Sequence, residues 1–371
     1  MNVSFYGHTR QYHGIKGEID ANIHKVLESG QYVMGPMLKQ FEAEFAAYTG
    51  KKHAIGVGNG TDAISLTIMA LGLEPGDEII THANTFFATA EAIWIAGCKA
   101  ILVDCDADTR CIDPKKVAAA VTRRTKAVIP VHLYGQCAPM REIRGIADQH
   151  KLLVIEDNAQ AIDARGDDFR IGELSDAVTT SFIIQKNLGT FGDGGAVYTD
   201  SDEVDARVRR LRNHGSSARD HHSFGFNSRL DDIHAGILSA KLKHIGEWSE
   251  KRRQWAARYD AGLKGIPFIT LPHARSGYRH VYHLYEIETR DAADRNPLLA
   301  YLNGKGIDAK THYSIPIHKQ GGYPWGKDAE IRGSLANAEK NAASCISLPI
   351  YAELTAEEVD YVIEAVRSWK K

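Results

Sequence analysis

Between residues 53 and 156, apolar residues come in two alternating patterns. Short runs of four or five are separated by stretches in which apolar positions return every three or four residues. The short runs predict strands at 53–57, 78–81, 100–103, 127–131 and 152–156, and the longer stretches predict helices at 61–71, 89–96, 114–121 and 139–149. Repeated strand–helix units imply a mostly parallel sheet with helices on both faces. Ahead of them, helical spacing at 19–27 and 37–48 forms a lead-in, broken at Gly30, Gly35 and Pro36 and stopped at Gly50. Further on, a β-branched run from Ala177 ends at Lys186, a glycine-rich loop follows, and a second apolar strand leads to Asp200. Helices are expected at 202–213, 230–242 and 245–262. A small α+β unit follows, with strands at 281–288 and 307–312 and helices at 297–304 and 355–369. The fold class is α/β, with a large domain over 1–245 and a small C-terminal domain over 246–371.

Composition narrows the function classes. Hydrophobic residues are 43% and charged residues 25% of the 371, ordinary for a globular protein with a sizeable core. The net charge of −2 favours neither nucleic acid nor an anionic membrane. No apolar run approaches the roughly 20 residues of a membrane span, and the N-terminus lacks the regions of a signal peptide, so a cytoplasmic protein is expected. The five cysteines form no CxxC pair, and the 17 histidines lack accompanying ligands at zinc spacing, so neither a disulfide framework nor a metal site is expected.

Three features carry chemistry. GNGTDA, residues 58–63, is a glycine turn opening a helix, with Thr61 at or near the cap; N–H groups at a helix start attract anions, phosphate above all. It does not match GxGxxG, because Ala63 stands where the third glycine belongs, and no Walker lysine follows. A tight turn with a capped helix is the plainer alternative. Second, the apolar strand ending at Glu156 and Asp157 places a carboxylate where it needs a cationic or N–H partner, unless it merely caps a helix. Third, Lys186 ends a buried strand. Burying an ammonium is costly, and desolvation lowers its pKa and frees a nucleophilic amine. A surface lysine is the plainer alternative there. Together, a lysine to form an imine, an acid to hold a pyridine nitrogen protonated and a phosphate turn are contacts that pyridoxal phosphate requires. Its ring also needs an aromatic face, for which Phe86 is placed and Phe87 competes.

The ordered set of motifs resembles the sugar aminotransferases of the DegT family, which are fold type I pyridoxal phosphate enzymes. It runs from LESGQYVMGP through GNGTDAISLTIMALGLEPGDEIITHANTFFATAEAI, IPVHLYGQ, VIEDNAQA, KNLGTFGDGGAVYTD, NHGSS and GFNSRLDDIHAGIL to THYSIPIH and SLPIYAELTAEEVDYV, nearly the whole chain. The resemblance implies that Lys186 is the Schiff-base lysine, Asp157 the partner of the pyridine nitrogen, and Gln160 the neighbour of the phenolic oxygen. It implies phosphate contacts from Gly60, Thr61, Asp62 and Ser181, stacking by Phe86, and an Asn227 that reaches the phosphate of a neighbouring subunit in a homodimer with shared active sites. Arg229, His312 and Tyr313 match positions near a nucleotide-sugar substrate. The implied reaction is ping-pong transfer of nitrogen from glutamate to a nucleotide-linked keto sugar.

Two segments depart from the family pattern. Ile183, Ile184 and Gln185 replace an aromatic or histidine and a following proline ahead of the lysine, and Ala161, Ile162 and Asp163 replace a small residue, His and Gly. Both are expected near the cofactor, and they leave the substrate open. A keto-cyclitol aminotransferase, a pyridoxal-dependent sugar dehydratase and a non-catalytic regulatory protein are the competing readings. The dehydratases of the family replace the lysine with histidine, so Lys186 argues against that one.

Overall fold

The computed structural model describes residues 1–217, 220–322 and 326–370. Eleven strands are present among them: β1 (His53–Val57), β2 (Glu78–His82), β3 (Lys99–Val103), β4 (Thr125–Val128), β5 (Leu153–Asp157), β6 (Ala177–Ser181), β7 (Gly195–Thr199), β8 (Ile269–Thr270), β9 (Tyr285–Thr289), β10 (Ala329–Ile331) and β11 (Cys345–Leu348). Eight form one sheet in the order β1-β7-β6-β5-β4-β2-β3-β10. Only β7 runs against the others, pairing antiparallel with both β1 and β6. The central strands are buried along their length, so they read as continuous apolar runs, as parallel strands covered on both faces do. A second sheet, β11-β9-β8, is antiparallel. Its core draws on the helices Ile245–Leu263, Arg295–Gly304 and Ala356–Ser368, and on Val3 from the other end of the chain. β10 lies beyond residue 245 in sequence yet pairs with β3 at the edge of the larger sheet. Among the described residues no helix is long and apolar enough to cross a membrane.

Four local expectations are revised. The helix Gly60–Ala70 is capped by Asn59, whose side chain accepts the Asp62 N–H at 2.8 Å, so Thr61 lies inside the first turn. Lys186 does not end a strand: β6 stops at Ser181. The apolar residues that follow fold back on themselves, with the Lys186 N–H donating to Ile183 O at 2.9 Å and the Thr190 N–H to Phe182 O at 2.8 Å. The loop closes over Gly189, where a Cβ would meet the Ile183 and Ile184 carbonyl oxygens at 2.6 Å. The strand expected at 281–288 begins only at Tyr285, because the N–H groups of Val281 and Leu284 bond Gly135 O and Tyr134 O instead of a neighbouring strand. The strand expected at 307–312 is reduced to isolated bridges, Ile307 to Val3 and Lys310 to Ser347, since its two halves pair with different segments.

Candidate active site

The carboxyl edge of the larger sheet gathers residues from distant parts of the chain. The turn after β1 brings Gly60, the segment after β2 brings Thr85 and Phe86, and β5 and β6 end at Asp157 and Ser181. β7 runs the other way, so its start delivers Asp193 to the same edge. These residues, with Gln160, Ile183, Gln185 and Lys186, line a cavity of about 400 Å³. Tyr6, His283, His312 and Tyr313 line it as well. The position agrees with the general placement of ligands outside the carboxyl ends of parallel strands.

Lys186 and Asp157 dominate its electrostatics. Burial pushes the Lys186 ammonium down to about 8, against the opposing pull of the Asp157 carboxylate. At pH 7.5 roughly a quarter of such amines are neutral, against about one in 10³ for an ordinary lysine. Attachment of a carbonyl compound needs the neutral amine. The rate at which cofactor-free protein takes up pyridoxal phosphate is therefore expected to rise with pH and level off above about pH 8, as stopped-flow absorbance would record; a rate still climbing tenfold per unit at pH 9.5 would contradict it. Asp157 is 5% exposed. Its oxygens accept the Thr89 hydroxyl at 2.9 Å and the Ala159 N–H at 3.1 Å. Burial outweighs these bonds and the fields of Lys186 and His132, and holds its carboxyl above the usual range.

Gln160 is held on both sides. Its Oε1 accepts the Tyr134 backbone N–H at 2.8 Å, and its Nε2 donates to the Tyr313 hydroxyl at 3.0 Å. His283 Nδ1 lies 3.1 Å from Asn187 Oδ1, and His312 Nδ1 lies 2.9 Å from Ser347 Oγ. Burial, reinforced by the Lys186 charge, pushes His312 down to about 4 and His283 well below the usual imidazole range, so both are neutral near pH 7.

The predicted residues divide in two. Lys186, Asp157, Gln160, Gly60, Ser181, Phe86, His312 and Tyr313 meet at the cavity. Phe86 is half exposed, its ring centroid 5.6 Å from that of Tyr313, whereas Phe87 packs against the core. Thr61 and Asp62 stand in the adjacent helical turn without lining the cavity, and the Asp62 carboxylate accepts the Ser228 hydroxyl at 2.6 Å. Asn227 and Arg229 also lie outside it: Asn227 is exposed and bridges Asn213, whose side chain accepts from Arg229 Nη1 at 3.1 Å. Of the two departures, only the first lines the cavity, through Ile183 and Gln185. Ile162 is buried, and Asp163 pairs with Arg279 at 2.8 Å beside a separate cavity of about 80 Å³, so this segment is not at the site as expected.

Sequence reasoning passed over several residues. Thr89 shares its motif with Phe86 and follows Thr85 by one helical turn, a spacing that could have placed both on the same face. Asn187 adjoins Lys186. Tyr6 arrives from the N-terminal segment and His283 from the stretch ahead of β9, and no motif linked either to the site.

The cavity suits pyridoxal phosphate on its own geometry. A buried carboxylate with no cation bonded to it faces the space in which a protonated ring nitrogen would supply one. The buried Thr85 hydroxyl lacks a partner there. Gly60 opens a helix whose first N–H groups have no intrahelical acceptors. A Cβ on Gly60 would come within 2.7 Å of the Ser181 Cβ, so only glycine lets the turn approach Ser181 so closely.

The DegT/DnrJ/EryC1/StrS aminotransferase family profile matches residues 13–367. The chain belongs to this family. It is 44% identical to a pleiotropic regulatory protein of Geobacillus stearothermophilus, over 99% of this chain and 98% of that one. It is 42% identical to the dTDP-3-amino-3,4,6-trideoxy-alpha-D-glucose transaminase of Streptomyces venezuelae, over 99% and 96%. Among solved structures, DesV of S. venezuelae in complex with a ketimine intermediate superposes with a TM-score of 0.95, at 42% identity over 99% and 98% of the two chains. NtdA of Bacillus subtilis with bound PMP superposes with a TM-score of 0.91, at 36% identity over 99% and 84%. The fold is therefore that of the fold type I aminotransferases, and the family's cofactor is pyridoxal phosphate.

Proposed function

We propose that the protein transfers an amino group from glutamate to a nucleoside-diphosphate-linked keto sugar, in two half-reactions that share one cavity. The observation that carries this reading is the meeting of Lys186 and Asp157 in a single space of about 400 Å³. Relatives at 42%, 41% and 38% identity, named for transamination of dTDP- and UDP-linked sugars, support the substrate class.

Each residue has a task. Asp157 holds a proton on the ring nitrogen, and Thr89 and the Ala159 N–H keep its carboxylate aimed there. When bound, the cofactor supplies the electron sink for the bond broken at the donor's α-carbon. Lys186 would anchor the cofactor at rest, and its amine, once free, would act as base and then acid for the proton leaving that α-carbon. Gly60, Thr61 and Asp62, through the helix start, and Ser181 hold the phosphate. Phe86 and Gln160, which line the cavity, would hold the ring and its phenolic oxygen. His312 and Tyr313 face the sugar. Asn227, exposed and outside its own chain's cavity, is suited to serve a second copy in a homodimer with shared sites, and Arg229 beside it to meet the nucleotide. A cytoplasmic setting completes the reading.

The test uses purified, cofactor-loaded protein. Glutamate is expected to bleach its visible absorbance with release of 2-oxoglutarate. Starting again from the loaded form, dTDP-3-amino-3,4,6-trideoxy-α-D-glucose or dTDP-3-amino-3,6-dideoxy-α-D-galactose should bleach it likewise, by the reverse of the second half. Bleaching by an amino-cyclitol but by no amino-sugar nucleotide would transfer the assignment to the cyclitol class.

A further inference from the structure

Tyr134 does not line the cavity, yet it bonds to both walls of it. It follows β4 in a left-handed conformation, φ 59° and ψ 4°, which is uncommon for a residue with a Cβ and is held where the surroundings over-determine it. Gly135 comes next at φ 105°, where a Cβ would meet the His283 nitrogen at 2.7 Å. In this turn the Tyr134 N–H donates to Gln160 Oε1 at 2.8 Å. Its hydroxyl reaches the other wall and donates to the His312 carbonyl oxygen. Gln160 Nε2 in turn donates to the Tyr313 hydroxyl at 3.0 Å. Because His312 and Tyr313 are consecutive, these contacts close a ring: Tyr134, Gln160, Tyr313, His312 and back to Tyr134.

The ring is anchored to the smaller sheet. The Tyr134 hydroxyl lies 3.3 Å from Asn341 Oδ1, and Asn341 Nδ2 donates to Glu286 Oε1 at 2.6 Å and to Glu288 Oε1 at 2.8 Å, both on β9. Arg110 pairs with Glu288 at 2.5 Å. Tyr134 is 5% exposed, and burial keeps its phenol protonated, so it remains a donor throughout the working pH range.

We infer that Tyr134 is a positioning residue that sets the His312–Tyr313 wall at a fixed distance from Gln160, and thereby shapes the sugar end of the cavity without touching the cofactor or the substrate. The inference rests on the reading that His312 and Tyr313 face the keto sugar. Glutamate lacks the sugar and its nucleotide, so its half-reaction does not need this wall. Losing the hydroxyl leaves the half-buried His312 carbonyl without this donor, an unmade bond that the segment relieves by moving.

Tyr134→Phe keeps the ring volume and the backbone bond to Gln160 and removes only the hydroxyl. In the cofactor-loaded variant, amide hydrogen exchange over 310–315 is expected to quicken about tenfold while β7 is unchanged. The concentration of dTDP-3-amino-3,4,6-trideoxy-α-D-glucose giving half-maximal single-turnover bleaching is expected to rise about tenfold, with the glutamate half-reaction within twofold of the parent. Unchanged exchange over 310–315 overturns the inference. So does quickened exchange with an unchanged sugar half-saturation, or an equal loss in both half-reactions, which would mark general damage. If the parent protein is bleached by glutamate and by no nucleotide sugar, the substrate reading fails, and the exchange measurement still decides whether Tyr134 holds the wall.

Discussion

Lys186→Ala is expected to lower turnover by about 10⁴-fold or more, because the proposed reaction asks one side chain both to anchor the cofactor and to carry the proton. The fold survives. Burial disfavours the ammonium in the native protein, which is what pushes it down to about 8, so removing it relieves a cost in the structure. The melting temperature is expected within a few degrees of the parent. Added methylamine should restore part of the proton transfer but not the covalent anchor, seen as amine-dependent single turnovers on an otherwise inert protein. The same variant separates enzyme from regulator: a protein acting only through binding keeps its effect without Lys186. This matters because a relative at 44% identity is named as a regulatory protein and others at similar identity as transaminases. Retention of full turnover by Lys186→Ala would exclude the proposed mechanism outright.

Asp157→Asn lowers the rate of the proton-transfer step by about 10²–10³-fold, the scale for removing one preorganised electrostatic contact from a water-excluded site. Asparagine matches the carboxylate in shape; its Oδ1 can still accept the Ala159 N–H, and its Nδ2 can donate to a Thr89 hydroxyl that rotates to accept, so the geometry at the end of β5 is retained. What is lost is the negative charge that keeps a ring nitrogen protonated. The discriminating measurement is the rate of glutamate-driven bleaching in cofactor-loaded variant and parent. Full rates in Asp157→Asn would show that the charge is not used. Since burial already raises this carboxyl above its usual range, the cofactor-free variant should be at least as stable as the cofactor-free parent.

Much of the fold was legible because its central strands are buried on both faces. Such strands appear as bare apolar runs, and the amphipathic helices between them keep their period. Elements with few residues of their own were not legible. β8 and β10 are two and three residues long, and β10 exists because β3 offers an unpaired edge. The stretch 281–284 has the composition of a strand, but its hydrogen bonds go to the Tyr134–Gly135 turn, a choice made by packing between the two sheets.

The site shows the same division. The chemistry of a strand-end acid, a helix-opening glycine turn and a lysine in an apolar run is written in local residue order, because each depends on its immediate neighbours: Asp157 on β5, Gly60 on the helix it opens, Lys186 on the loop after β6. Their convergence follows from a parallel sheet, which sends every strand's carboxyl end to one edge. The sequence by itself thus determined the candidate residues and the edge at which they gather. Only the tertiary structure decided which neighbours complete the cavity. Tyr6 enters it from the N-terminal segment and His283 from the stretch ahead of β9, Ile162 and Asp163 face away from it, and Tyr134 reaches His312 across 178 positions. Such contacts join residues far apart in sequence, and no local period or motif records that.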